Sequence, residues 1–196
     1  MSYLTADERD ILIEVASMGA GHAARPIAQL IGERIDVNVP TLDLVTIEDV
    51  SGLMGGVEDT MTIVAVKIKG EIAGTILLLV TPENATKLLS NVQSDQETSV
   101  LEEIANIMAG SALSAIGRFL GLTLMQSVPG SATDMLQAMI GEITTELAAR
   151  ANEILVLGID FSAVASHATG KLYFLFTPTS TQHILKLGHA KLGSDV

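Results

Sequence analysis

The sequence contains no cysteine and no tryptophan, and aromatic residues make up only 3% of its 196 residues. Without cysteine, a disulfide framework, a cysteine-based zinc site and a thiol nucleophile are all excluded. Because aromatic rings are scarce, the core has to be built from aliphatic side chains and methionine. Apolar residues form 48% of the chain, which is ample for a packed core.

Basic residues are also few: 11 Lys and Arg stand against 23 Asp and Glu, which gives a formal net charge of −12. Nucleic acids and anionic membrane surfaces select for Lys and Arg, so neither is an expected partner. The longest apolar run, Ile76 to Val80, is too short to span a bilayer. The first residues, MSYLTADERD, lack the basic and apolar regions of a signal peptide. We therefore expect a cytoplasmic protein without a membrane-inserted segment.

Two stretches of the chain repeat each other. GTILLLVTPENATKLL begins at Gly74 and GKLYFLFTPTSTQHIL begins at Gly170. Each has a glycine, an apolar run typical of a buried strand, a Thr-Pro pair and a helical pattern. Thr81 and Thr177 are predicted to cap the two helices, with the following proline in the first turn.

The segments upstream repeat as well. DILIEVASMGAGHAARPIAQLIG from Asp10 parallels SVLEEIANIMAGSALSAIGRFLG from Ser99, and a short extended stretch follows each helical pattern. These repeats predict a single domain over residues 1–196, made of two halves at about 8–93 and 97–189. The second half is longer by an insertion near an amphipathic helix that we predict from Asp134 to about Ala149.

The repeats predict the fold class. Within each half, two strands are expected to form an antiparallel hairpin, with Lys69 and Gly70 at the first turn. Each half alone is small, so one fused sheet is favoured over two independent domains. We expect an α/β (α+β) protein with a pseudo-twofold, mostly antiparallel sheet and two long helices packed on it.

The second long helix separates into two faces when residues 99–120 are placed at 100° per residue. The core face is apolar and comprises Leu101, Ile104, Met108, Ala112, Ala115, Ile116 and Phe119. The opposite face carries Ser99, Glu103, Asn106, Gly110 and Gly117. Glycine at position 110 costs the helix about 1 kcal/mol relative to alanine. We expect it to leave room beside Asn106 for the backbone or a phosphoryl group of a partner.

The first long helix carries a related face with Asp10, Glu14, Ser17 and Gly21. Taken singly, such residues are ordinary, because exposed glutamates are common and glycines often only allow close helix packing. The two faces, however, share one spacing: Asp or Ser, three residues, Glu, two residues, Asn or Ser, 22 residues, Pro. The prolines that end the two copies are Pro40 and Pro129.

On this motif the chain resembles the CheC family of chemotaxis phosphatases, which includes CheX and the motor-switch relative FliY. The second half matches the family motif in full, and the first half departs from it only at Ser17, where the family has Asn. The flanking segments ASMGAGHAA and ANIMAGSALSAIG are also similar to the family's. The resemblance covers nearly the whole chain.

The resemblance implies a hydrolase that removes the aspartyl phosphate of CheY, the chemotaxis response regulator. Asn106 would orient the attacking water, and Glu103 would pair with a lysine of the regulator. A Mg²⁺ ion would be held by the regulator, so no cofactor or metal ligand set of this chain's own is expected. The shorter Ser17 would leave the first face weak or inactive, while Glu14 would still help docking.

Two other functions remain open. The chain could be an adaptor that binds CheD, the receptor deamidase, and phosphorylated CheY with little catalysis. It could also be a motor-switch component like FliY, which we expect less because no motor domain is predicted after the last helix. The GAGHAA segment at 19–24 fits a dinucleotide fingerprint, but it follows a helical pattern instead of the required strand.

Overall fold

The structure is a computed structural model, and it describes residues 4–56, 58–92, 97–148 and 152–192. Six α-helices and eight β-strands are assigned in this part of the chain. The helices are α1 (Ala6–Ile31), α2 (Val50–Met54), α3 (Pro82–Leu88), α4 (Glu97–Leu120), α5 (Leu136–Ala148) and α6 (Pro178–Leu192). The strands are β1 (Ile35–Val37), β2 (Thr41–Thr46), β3 (Thr60–Gly70), β4 (Gly74–Val80), β5 (Leu124–Gln126), β6 (Gly130–Met135), β7 (Glu153–Ala163) and β8 (Thr169–Phe176).

The eight strands form one sheet in which every pair is antiparallel. Its main order is β1-β7-β8-β4-β3-β5, with β2 also on β7 and β6 also on β3. When each strand is replaced by its equivalent in the other half (β1 by β5, β3 by β7, β4 by β8), the same order results, read in reverse. A pseudo-twofold axis therefore passes between β4 and β8. The predicted fold class is confirmed. The division into halves at 8–93 and 97–189 stays a prediction.

The strands of the two halves are interleaved. The short strands β1 and β2 of the first half pair with β7 of the second half. In return, β5 and β6 of the second half pair with β3 of the first half. Each half therefore completes its sheet edge with strands from the other half.

Both faces of the sheet are buried. All seven residues of β4 are buried, and the five from Ile76 to Val80 alternate between two cores, as a period-2 strand requires. Ile76, Leu78 and Val80 join a large core with α1 and α4, whereas Leu77 and Leu79 join a smaller core with α2 and α5. The prediction of a buried strand from this apolar run is confirmed.

The predicted helix starts are confirmed. The Thr81 hydroxyl accepts a hydrogen bond from the Asn84 amide at 3.2 Å, and Pro82 is in the first turn of α3. The Thr177 hydroxyl accepts one from the Ser180 amide at 3.3 Å at the start of α6.

Two predicted boundaries were wrong. β3 continues through Gly70, because Gly70 pairs with Leu124 of β5 as a ladder partner, so the turn lies at residues 71–73 and not at Lys69 and Gly70. The helix predicted from Asp134 begins only at Leu136, because Asp134 is held in β6 opposite Met61 of β3. Residue 149, the predicted end of that helix, lies outside the described residues.

The turn between β7 and β8 depends on a carboxylate from the loop after α1. Glu33 accepts hydrogen bonds from the backbone amides of Ala165 at 2.7 Å and Ser166 at 2.8 Å. Partial desolvation raises the pKa of Glu33, but the bonds from Ser166 and Ala165 outweigh it and leave the pKa below its usual 4.5. The charged form of Glu33 is therefore the form that the fold stabilises.

Replacing this carboxylate should make stability less dependent on pH. A folded-state pKa below the unfolded one contributes stability above the unfolded pKa and loses it as pH falls through the folded pKa. We expect Glu33→Gln to lower the free energy of unfolding by about 1 kcal/mol at pH 7, with the difference shrinking below about pH 4. Urea unfolding at pH 7 and pH 3.5 measures this, with the exposed Glu48→Gln as control. A constant difference at both pH values would contradict the role given to the charge.

Candidate functional site

An open groove of about 450 Å³ runs along the outer side of α4. Its far wall is the chain that leaves β5 and enters β6. The residues that line it are Ser99, Glu102, Glu103, Asn106, Gln126, Ser127, Val128 and Pro129. The four positions of the complete sequence motif, Ser99, Glu103, Asn106 and Pro129, are thus brought together at one place.

The long spacing between Asn106 and Pro129 has a structural cause. After α4 ends, Gly121 takes the left-handed conformation with φ 73°, and the Leu122 amide donates to the carbonyl of Gly117 at 2.8 Å. This helix ending reverses the chain. The chain then pairs with β3 as β5 and returns beside α4, which brings Pro129 to the level of Asn106.

The side chains at the centre of the groove remain available. Glu103 is exposed and Asn106 is half-buried. Within the described residues, neither side chain makes a hydrogen bond or ion pair. The face opposite to Asn106 is buried in the large core, as shown by Ile104, Met108 and Ala112. Helical periodicity therefore turns the carboxamide towards the groove.

Acidic and neutral polar groups line the groove, and none of its lining residues is basic. Glu102 accepts a hydrogen bond from the Ser131 hydroxyl at 2.5 Å, which ties α4 to β6. The Ser127 hydroxyl is committed to backbone, because it accepts from the Lys67 amide and donates to the carbonyl of Val128, both at 2.9 Å. Val128 is 89% exposed and forms an apolar point at the rim.

Two glycines of the predicted polar face do not have the surroundings we expected. The space beside Gly110 is filled from within the chain: a Cβ at this position would lie 2.8 Å from Nε2 of Gln126. Gly117 is buried, and a Cβ there would lie 2.7 Å from the carbonyl oxygen of Leu122. These glycines admit the returning β5 segment, so the expectation that Gly110 leaves room for a partner was wrong.

The first half does not rebuild the groove. Asp10 and Glu14 are exposed and line a different pocket of about 440 Å³. Its other lining residues are Asp7, Ile11, His189 and Leu192. Ser17, Gly21 and Pro40 are not among the lining residues. Ser17 is half-buried, Gly21 faces open space with no neighbour within 4 Å, and Pro40 is buried.

A difference in helix length accounts for the residues that α6 adds to this pocket. In the second half, α6 has 15 residues and packs along α1, where a side chain at Gly188 would collide with Ile11. Its last turn places His189 and Leu192 beside Asp10 and Glu14. The equivalent helix α3 has only seven residues, so it adds no lining residue to the groove on α4.

Four groove residues were not predicted from the sequence: Glu102, Gln126, Ser127 and Val128. Glu102 falls between the two faces in the helical projection. The other three directly precede the motif proline, and this position was the only available signal.

No metal centre or membrane span emerges from the described residues. Among them, no group of three or more Asp, Glu or His side chains is placed to hold a metal ion. In the same part of the chain, no helix combines the length and the apolar character needed to cross a membrane.

Comparison with known proteins assigns the chain to a family. Residues 97–132, which span α4, β5 and the start of β6, match the model of the CheC-like family. The chain is 31% identical over 153 residues to "CheY-P phosphatase CheC" of Bacillus subtilis (strain 168), an alignment that covers 72% of this chain and 73% of that protein. The chain therefore belongs to the CheC-like family.

Solved structures share the fold. FliY of Thermotoga maritima matches with a TM-score of 0.75 and 19% identity, over 97% of this chain and 100% of that chain. The chemotaxis protein CheX of Desulfovibrio desulfuricans matches with a TM-score of 0.56 and 16% identity, over 83% of this chain and 98% of that chain. The segment matched by the family model contains every residue that lines the groove on α4.

Proposed function

We propose that this protein is a phosphatase that hydrolyses the aspartyl phosphate of CheY, the chemotaxis response regulator, with its working site in the groove on α4. The supporting observation is that the complete motif gathers in one open groove, with the Asn106 carboxamide beside the Glu103 carboxylate. Membership of a family with a CheY-P phosphatase supports the same activity.

A carboxamide suits this reaction. An acyl phosphate is already activated, so catalysis consists mainly of placing a water in line with the phosphorus and the leaving carboxylate. The amide of Asn106 has a donor and an acceptor for that water, and it does not titrate. The water attacks phosphorus, the bond to the aspartyl oxygen breaks, and inorganic phosphate leaves. A Mg²⁺ ion held by the regulator would neutralise charge on the phosphoryl oxygens.

Glu103 has a docking role in this proposal. It is exposed, and the described part of the chain offers its carboxylate no partner, so it is free to pair with a lysine of the regulator. Such a pair fixes the register in which Asn106 enters the phosphorylation site.

Removing this charge should weaken docking more than chemistry. Because exposed ion pairs contribute about 0.2–1 kcal/mol, we expect Glu103→Gln to raise KM for the phosphorylated regulator by up to about fivefold. The effect should shrink at high salt, because exposed charges are screened. Glu142→Gln on α5 is the control. A fall in kcat with unchanged KM would contradict a docking role.

The first half is proposed to be inactive or weak. Ser17 has a hydroxyl in place of the amide, Pro40 is buried, and His189 and Leu192 flank Asp10 and Glu14 instead of a groove. Glu14 remains exposed and can contribute to docking. This asymmetry favours a second candidate, in which the chain acts mainly as an adaptor that binds CheD and phosphorylated CheY.

One assay separates the two functions. Phosphorylated CheY is mixed with this protein at about one-hundredth of its concentration, and phosphate release is followed with and without CheD. A phosphatase shortens the lifetime of the whole regulator pool, because each molecule turns over many times. An adaptor leaves the spontaneous rate unchanged while binding is detected by a separate titration.

A further inference from the structure

The groove contains a second carboxamide, that of Gln126. It lies across Gly110, one helical turn beyond Asn106, and its Nε2 would be 2.8 Å from a Cβ at position 110. One turn of α-helix separates Gly110 from Asn106 by about 6 Å along the axis, and Asn106 and Gln126 line the same groove. Gln126 is half-buried, and nothing in the described part of the chain hydrogen-bonds its side chain.

The groove needs neutral hydrogen-bond donors if an anion is to enter it. It presents the carboxylates of Glu102 and Glu103 and no basic side chain. The Ser127 hydroxyl is already bonded to backbone. Besides the Ser99 hydroxyl, the amide hydrogens of Asn106 and Gln126 are the neutral side-chain donors among the lining residues that could be directed at a phosphoryl oxygen.

Both carboxamides occur in the second half of the chain, and the first half has neither at the corresponding positions. The second half has Asn106 and Gln126, and the first half has Ser17 and Val37 at the corresponding positions. The glycines at the corresponding positions show the same difference: a Cβ at position 110 would lie 2.8 Å from the Gln126 amide nitrogen, whereas a Cβ at position 21 would meet no atom within 4 Å. The half that carries the motif asparagine is thus the half that carries the second amide.

We propose that Gln126 is a second substrate-contacting side chain of the groove, which donates an Nε2 hydrogen to an oxygen of the regulator's phosphoryl group. This inference rests on the proposed function and adds a recognition element to it. Asn106 orients the water, and Gln126 makes binding depend on whether the regulator carries phosphate.

The first test removes the amide and keeps the volume. For Gln126→Met we expect about tenfold weaker affinity for the regulator loaded with beryllofluoride, a stable phosphoryl mimic, and about tenfold slower phosphate release. Affinity for the unmodified regulator should not change. Gln29→Met, at an exposed position of α1, should match the wild type in all three measurements.

The second test displaces the amide without altering it. A Cβ at position 110 meets the end of the flexible Gln126 side chain, so Gly110→Ala should push the amide out of its seat. We expect the same loss for the beryllofluoride-loaded regulator, with thermal stability equal to or above that of the wild type because alanine favours the helix. Gly141→Ala is the control, since no atom lies within 4 Å of its added Cβ.

The outcomes separate this inference from the proposed function. If the wild type binds the loaded regulator preferentially but releases no phosphate, the proposed function fails while the affinities still report on Gln126. Wild-type affinity and rate for Gln126→Met would overturn the inference. Equal weakening towards the loaded and unmodified regulator, or no wild-type preference for the loaded form, would also overturn it.

Discussion

Asn106→Ala should lower kcat for phosphate release from phosphorylated CheY by about a hundredfold and leave KM within about threefold of the wild type. Removing one preorganised polar group that acts in the transition state typically costs this much. Docking contacts such as Glu103 stay in place, so binding should persist while the water loses its orientation. Single-turnover decay of the phosphorylated regulator at saturating protein measures the loss.

The matched control is the same truncation to alanine at the corresponding position of the first long helix, α1. Ser17→Ala changes the equivalent position of α1, where no groove forms, and should leave both kcat and KM at wild-type values. Both variants should unfold at or slightly above the wild-type temperature, because neither position contributes to the core and alanine favours the helix. A wild-type rate for Asn106→Ala, or equal losses in the two variants, would contradict the assignment of the working site.

Leu78→Ala should lower the free energy of unfolding by about 2–5 kcal/mol, because it opens a cavity where the sheet meets the long helices. Leu78 is 1% exposed and lies in β4, at the centre of the sheet. β4 pairs with β8 of the other half, so the loss should appear in one cooperative transition that includes both halves.

The control for this prediction is Leu30→Ala. Leu30 is 39% exposed near the end of α1, and its truncation should change the free energy of unfolding by less than about 0.5 kcal/mol. Urea unfolding, followed by circular dichroism, measures both variants. Two separate transitions for Leu78→Ala would contradict the interleaved sheet, because β7 and β3 each depend on strands from the opposite half.

The features that could be predicted from the sequence are local ones. The run from Gly74 to Val80 marks a strand buried on both faces, and Thr81 with Pro82 marks a helix start, since the signal for each lies within a few residues. Interleaving was not predictable, because the pairing of β1 with β7 depends on contacts between distant segments. The turn prediction at Gly70 failed for the same reason: β5 extends that strand.

The candidate site likewise has features that could be predicted from the sequence and features that could not. Helical periodicity alone turns Glu103 and Asn106 away from the core. The position of the Gln126 side chain depends on how β5 returns along α4. The sequence alone could not show that this side chain lies beside Gly110, so the glycine was attributed to the approach of a partner. The first face could not be judged from Asp10 and Glu14 either, because the residues that surround them come from α6.

The position of the working site on α4 is tested most directly by comparing the two faces in one phosphate-release experiment at limiting protein. One variant carries Glu103→Ala with Asn106→Ala, and the other carries Glu14→Ala with Ser17→Ala. We expect the phosphorylated regulator to decay at its spontaneous rate with the first variant, while the second variant keeps most of the wild-type turnover. Turnover that survives in the first variant and disappears in the second would contradict the position of the working site on α4.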